Sequence, residues 1–327
     1  MKKCVYAVCA LLWAGCTASR SASDSSKDRE QKETVQIDSL APNPFIRHLY
    51  TADPSAHVWA DGRLYVYASH DIDPPRGCDL MDQYHVFHRH MVHWTDHGEI
   101  LRASQVPWGR KEGGFMWAPD CAYKDGTYYF YFPHPSETDW NGSWKIGVAT
   151  SKEPAANFTV QGYIEGLDPI IDLRVCGRRR AGLPVPRRGR HVQGRSAEGQ
   201  HDGDRRHDAV HGGAGGFPRG YMGAQIQREV LSFVFRQSQS RTRRRGGYNR
   251  MRYAVSDHPL GPWKYMGIYM GGSDCFTNHG SIVEYKGEWF AFYHSIALSG
   301  NPALRSVCVD RLYYNPDGTI RMVERRK

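Results

Sequence analysis

Apolar and polar positions alternate with a period of two in short bursts, and each burst follows a turn pair. Asp61-Gly62 leads into Leu64-Tyr65-Val66-Tyr67-Ala68-Ser69, Asp125-Gly126 into Thr127-Tyr128-Tyr129-Phe130-Tyr131-Phe132, and Lys286-Gly287 into Glu288-Trp289-Phe290-Ala291-Phe292-Tyr293. Aromatic and β-branched residues alternating after such a turn predict the arms of a β-hairpin. Each burst is followed by a stretch closing on an aromatic and a glycine: Val92 to Gly98, Asn157 to Gly162, and Gly261 to Gly267. A unit of roughly 50 residues holding about four strands has the period of a propeller blade, and the span from Asn43 to about Glu324 has room for roughly five. No segment sustains helical periodicity. The expected fold class is all-β, a five-bladed β-propeller.

The stretch Tyr50 to Asp71 carries the first candidate chemistry. Asp53-Pro54 stands ahead of the first hairpin, and the pattern predicts that the strand begins a few residues later. Pro54 fixes its own φ and restricts the residue before it, so the Asp53 carboxylate sits on stiff backbone. An isolated Asp-Pro more often only caps a turn. The repetition of the pattern along the chain is what favours a functional role here.

Composition sharpens the domain plan. A chain of 327 residues buries a large core as one all-β domain or two smaller ones. Its 19 Tyr and 9 Trp suit short strands and sugar-stacking surfaces better than helical bundles. The start, MKKCVYAVCALLWAGC, has two lysines, a short apolar run and a small-residue pair before Cys16, which reads as a secretory signal too short to span a membrane. Ala14-Gly15-Cys16 resembles a bacterial lipobox. Residues 1–16 are thus expected to be a signal peptide whose Cys16 carries a lipid anchor. Residues 17–40 form a polar tether and 41–327 the propeller. The expected location is beyond the inner membrane, periplasmic or at the cell surface. Cys78, Cys121, Cys176, Cys275 and Cys308 have no metal-ligand spacing and read as mostly buried or free thiols, with room for one unassigned disulfide.

Between Arg174 and Arg245 the chain changes character. This window holds 17 Arg, no Lys and five acids (Glu198, Asp202, Asp204, Asp208, Glu229), a net +12 against +9 for the whole chain. The remaining residues therefore sum to −3, and the basic balance belongs to the window alone. An Arg/Gly-rich segment binding RNA or another polyanion is one reading, but the few interleaved aromatics and the secretory signal make nucleic acid an odd partner. A solvated basic loop is a second, but the window is too long for that. The third is a shifted reading frame. Codons permitted by Leu173 to Pro186, read one base later, give CVFVDDDGQAYLY, a strand with an Asp-Gly turn. Gly216 to Gln239 in the same phase gives DFHEGTWAHKYNGKYYLSFSDNH, a second strand preceded by Glu-Gly-Thr-Trp. The frameshift is the favoured reading, with the literal segment expected to be disordered or badly packed.

Five pieces in blade order now carry a resemblance. They are Asp53-Pro54, Phe115-Met116-Trp117-Ala118-Pro119-Asp120, Ile171-Asp172, Thr277-Asn278-His279-Gly280-Ser281 and Tyr313-Tyr314-Asn315-Pro316-Asp317-Gly318. Together they resemble glycoside hydrolase family 43 over about 43–172 and 246–324. The resemblance implies a five-bladed propeller, its third and fourth blades disrupted around 174–245. It implies cleavage of arabinose- or xylose-containing polysaccharides or oligosaccharides of plant type, with inversion, by a monomer. Inversion needs two carboxyl groups about 6.5–9.5 Å apart, one protonating the leaving oxygen and one activating water. The family maps the general base onto Asp53 and an orienting carboxylate, which raises the acid's pKa, onto Asp172, otherwise a turn residue. The general acid belongs to a Glu-Gly-Thr-Trp motif absent from this chain; in the shifted frame its codon straddles Arg219 and Gly220. Trp117 is expected to stack on a sugar, with core packing as the alternative. Arg305 is expected to reach the sugar or a carboxylate, with a surface salt bridge as the alternative. His279 matches a histidine at the propeller axis that approaches a cation, often structural calcium, which prefers oxygen and would be reached through water. His57, His70, His85, His88, His90, His93 and His97 crowd the first blade without zinc-site context. A non-catalytic carbohydrate-binding propeller and a polyanion-binding surface protein remain as rival functions.

Overall fold

The computed structural model describes residues 40–75, 80–90, 93–137, 142–167, 221–226, 229–236, 250–256, 262, 264–275 and 277–326. All of these fall in one unit, Val35–Lys327. The signal peptide, most of the tether, Cys78, Asp172, Cys176 and Arg219 lie outside the described residues.

The described chain is all-β. The first sheet is an antiparallel meander of β1 (Tyr50–Val58), β2 (Leu64–Asp71), β3 (Gln83–His90) and β4 (His93–Arg102). The second repeats the plan with β5 (Asp120–Lys124), β6 (Thr127–Pro135), β7 (Trp144–Ser151) and β8 (Thr159–Tyr163). The third holds β9 (Tyr221–Ile226), β10 (Glu229–Arg236), β11 (Arg250–Ser256) and β12 (Lys264–Met270), and the fourth β13 (Gly280–Tyr285), β14 (Glu288–Ser295) and β15 (Ser306–Leu312). The turn chemistry explains the hairpins. Asp125-Gly126 and Lys286-Gly287 have φ of 48° and 76°, and of 53° and 80°, the paired left-handed residues of a two-residue hairpin loop.

Two strands fall inside the Arg-rich window, where disorder or bad packing is the expectation. Residues 229–236 pair antiparallel with both β9 and β11. Their sequence, EVLSFVFR, is rich in β-branched and aromatic residues, which suits a strand whatever surrounds it.

Three apolar clusters pack the sheets against one another. Tyr67, Tyr84, Phe130 and Phe132 fill the space between the first and second sheets. Val66, Phe87, Phe290 and Phe292 join the first sheet to the fourth. Met251, Tyr253, Ile282 and Tyr293 join the third sheet to the fourth. Residues 43–51 run beside the last strand, with the Phe45 N–H donating to the Val307 carbonyl at 3.2 Å and the Thr51 N–H to that of Arg305 at 2.8 Å. The chain's first described segment is thereby stitched to its last sheet. Cys121, Cys275 and Cys308 are buried free thiols, as the sequence leads one to expect.

Of the first sheet's histidines, His85 and His88 are buried in its packing. His85 lies in the interior, where burial and then the neighbouring His70 bring its pKa down to about 4. A folded-state pKa below the unfolded value means the unfolded chain takes up the proton first as pH falls. Stability is therefore lost from about pH 6.5 towards 4. Replacing His85 by Phe is expected to reduce the loss between pH 6.5 and 4.5 by roughly 2–3 kcal/mol, read from urea midpoints across that range.

Candidate active site

Asp53 is not in a turn ahead of the strand; it lies within β1, where the strand bulges. The register with β2 slips between Ala52 and Ser55, and Asp53 takes φ of 54°. The left-handed region is tolerated by Asp better than by most residues, but it costs energy and persists only where surroundings impose it. Here Ser281 imposes it: its hydroxyl accepts from the Ala56 N–H at 2.9 Å and donates to the Pro54 carbonyl at 3.1 Å. Gly280 lets β13 lie close against β14, since a Cβ at this position would stand 1.9 Å from the Phe292 carbonyl oxygen. The bulge turns the Asp53 carboxylate into a pocket where it is 7% exposed.

The partner that dominates this pocket is Arg305, and it is buried, not a surface ion pair. Asp71, at the end of β2, grips it. The Arg305 Nε and Nη2 donate to the two oxygens of Asp71 at 2.9 and 2.8 Å, and the Arg305 backbone N–H adds a third bond at 2.8 Å. This fork leaves Nη1 aimed at Asp53, 3.4 Å from Oδ1, and at the Thr277 hydroxyl, 3.1 Å away. Burial raises the pKa of Asp53, but Arg305, with His294 and His279 behind it and the Ala118 N–H, outweighs burial and holds the carboxyl below its ordinary value. Burial works against the Arg305 charge too, and the two carboxylates more than restore it.

His294 lies next to the end of β14 and is fully buried. Its Nδ1 takes a hydrogen bond from the Asp53 N–H at 3.2 Å, and an amide can only donate, so Nδ1 carries no proton. The proton then sits on Nε2 and goes to the Thr277 carbonyl at 3.1 Å. Burial, and after it Arg305, push the His294 pKa down to about 3. At neutral pH it therefore acts on Asp53 as a fixed dipole, and Arg305 supplies the charge.

His279 Nδ1 stands 3.8 Å from Asp53 Oδ1. Among the described residues no group of three or more His, Cys, Asp or Glu forms a metal cluster. Trp117 is half-buried, with Trp144 at 4.5 Å and Phe115 at 5.7 Å between ring centroids. Phe115 itself has φ of 58° under the Arg110 guanidinium. The fully buried Tyr84 donates to the Trp117 carbonyl at 2.5 Å, fixing this aromatic segment beside Asp53. At the end of the same motif Asp120 Oδ1 accepts from the Ser55 hydroxyl at 2.6 Å and lies 2.8 Å from His57 Nε2, tying the second sheet to the first.

The structure thus brings Asp53, Arg305, His279 and the Trp117 segment together, from four separated stretches of sequence. Sequence reasoning gave no role to Asp71, His294 or Thr277. Asp71 closes β2, Thr277 precedes β13, and His294 follows directly on the Glu288–Tyr293 hairpin burst.

Comparison with known proteins identifies relatives of this chain. The profile of Glycosyl hydrolases family 43 matches residues 41–175. Xylosidase/arabinosidase 43A of Humicola insolens is 30% identical, over 85% of this chain and 98% of its own length. A xylosidase/arabinosidase of Bacteroides ovatus is 29% identical, over 84% and 95%. Among solved structures, a GH43_1 enzyme from Xanthomonas citri complexed with xylotriose superposes with a TM-score of 0.67 at 28% identity, covering 89% of this chain and 96% of that one. CoXyl43, a β-xylosidase/α-arabinofuranosidase from a compost metagenome solved with xylotriose in a calcium-free form, gives 0.66 at 28%, covering 87% and 97%. The chain belongs to glycosyl hydrolase family 43 and is by descent a glycosidase.

Proposed function

We propose that this fold is built to hydrolyse glycosidic bonds of xylose- or arabinose-containing glycans with inversion, and that Asp53 is its general base. The observation that carries this is the buried Asp53 carboxylate, kept ionised by Arg305 at a strained bulge beside an aromatic segment. An ionised carboxylate in a dry pocket is what deprotonating a water requires. The names of the relatives supply the sugar class. The sheet contacts support a propeller arrangement: the described sheets pack in the order second, first, fourth, third.

Asp172 is assigned the orienting role and Trp117 a sugar-stacking one. The general acid is missing from this sequence, its place falling at Arg219-Gly220, so the chain as written is impaired. A one-base frameshift across roughly 173–245 accounts for both the lost acid and the Arg-rich composition. Calcium fits only at a distance: it takes about 6–8 oxygen ligands, and the Asp53 carboxylate near His279 is committed to Arg305, so His279 would reach a cation through water. Lipidation at Cys16 would hold the enzyme on a membrane surface as a monomer.

The leaving group decides the test. An aryl xyloside with a 2,4-dinitrophenolate leaving group needs no protonation, so this chain should turn it over while leaving xylobiose almost untouched, and Asp53→Asn should abolish the residual turnover. Xylobiose hydrolysis at a rate near that of the aryl glycoside would sink the missing acid. Undiminished turnover by Asp53→Asn would sink the assigned base. The missing acid also favours a second reading, a glycan-binding propeller without catalysis; oligosaccharide binding with no turnover of either substrate is its signature.

A further inference from the structure

We propose a second glycan-binding platform, remote from Asp53, formed by Trp59, Tyr123 and Tyr128. It takes the apolar face of a pyranose ring in a xylan-type chain, and it rests on the reading of such a glycan as substrate. Trp59 follows the end of β1, six residues from Asp53, and six extended residues at about 3.3 Å each put it roughly 20 Å away. Tyr123 and Tyr128 flank the β5–β6 turn at the same end of the neighbouring sheet. The three rings touch: Tyr123 and Tyr128 centroids are 4.8 Å apart, Trp59 and Tyr128 5.4 Å, and Trp59 and Tyr123 6.4 Å.

The cluster is held from behind and open in front. The Trp59 indole N–H donates inward to the Tyr67 hydroxyl at 3.1 Å, and His57 stacks on the indole at 4.9 Å with planes 4° apart. His57 is in turn fixed by Asp120. Tyr128 packs into the core between the first two sheets, yet Tyr123 is 47% exposed. Pure core packing would hide all three rings, and here Tyr123 stays about half exposed on a hydrogen-bonded base. Pre-ordered aromatic faces of this kind bind with little loss of side-chain freedom. A polar rim accompanies them. The Asp61 carboxylate caps its own turn through the Arg63 N–H and accepts from the Tyr65 hydroxyl at 2.7 Å. It also raises the pKa of Tyr128, behind burial, which places the carboxylate beside that phenol. Ring faces with a carboxylate and phenols at their edge match a sugar's C–H face and equatorial hydroxyls.

The test is retention of the full chain on insoluble arabinoxylan, with titration by xylohexaose. Tyr123→Ala is expected to weaken retention by about 3–10-fold, the loss of one stacked ring, and Tyr123→Phe to preserve it. Tyr123→Lys, which keeps an aliphatic stem over Tyr128 without a ring, should lose as much as Ala, separating stacking from stability. Tyr123→Ala should turn over the 2,4-dinitrophenyl xyloside as the parent does, so failure of the cleft assignment and of the platform are told apart. Parent-level retention by Tyr123→Ala, or no retention of the parent chain, would each overturn the platform.

Discussion

A gene whose frame is shifted by one base across codons 173 to 245 and returned to register afterwards is expected to yield protein that hydrolyses xylobiose or arabino-oligosaccharides about 10²–10⁴-fold faster than protein of the present sequence. The magnitude is that of general acid catalysis, because the proposed shifted frame would supply a Glu-Gly-Thr-Trp motif. A sugar alkoxide is a poor leaving group, and without a proton donor a water activated by the proposed base Asp53 attacks a bond that cannot break cheaply. In the same proposal Asp172 would keep that Glu protonated near neutral pH. Turnover of the 2,4-dinitrophenyl xyloside should rise far less, because that leaving group departs without help. The ratio of the two gains, measured as kcat/KM on both proteins, is the decisive quantity. Equal gains would point to repaired folding instead of a restored acid, and no gain on xylobiose would end the frameshift account.

The blade plan was legible because hairpins advertise themselves locally. Asp125-Gly126 and Lys286-Gly287 need left-handed residues, and the bursts after them alternate, so both signals lie within a dozen residues. The place of Asp53 inside β1 was not legible, because the bulge is imposed by Ser281, 225 residues from the Ala56 amide it receives. The same distance in sequence hid Asp71. It closes a strand like any polar terminal residue, and only the arrival of Arg305 from 234 residues away makes it half of a fork. Arg305 was visible as a candidate but not its burial, which turns a surface pair into the main charge of the pocket. His294 was hidden for a further reason: its burst of alternating aromatics describes packing, and nothing in EWFAFYHS tells that the last ring turns towards a carboxylate.

Replacing Arg305 by Ala is expected to cost about 3–5 kcal/mol of stability at neutral pH, since removing one member of a buried ionic group leaves the others uncompensated. Two carboxylates lose their partner at once: Asp71 its two-pronged bond and Asp53 its nearest charge. The sign with pH follows from Asp53. In the parent its folded pKa lies below the unfolded 3.8, so it contributes stability that is present above that value and lost as pH falls through the folded pKa. In Arg305→Ala the burial of Asp53, the largest influence on it, is no longer opposed by the guanidinium, and its pKa moves upward. The variant's folded state then prefers the protonated carboxyl, and its deficit should shrink as pH falls below about 4. Urea midpoints of both proteins at pH 7 and pH 3.5 check this. A deficit under about 1 kcal/mol at pH 7, or one that grows on acidification, would show that Arg305 is not the charge that keeps Asp53 ionised. Adding Asp71→Asn to the variant should recover part of the loss, because an amide tolerates a pocket without a cation where a carboxylate does not. Adding Asp53→Asn should recover stability too, but at the expense of the proposed general base. The two rescues therefore separate the halves of the device: Asp71 holds the guanidinium in place, and Asp53 is what it is held for.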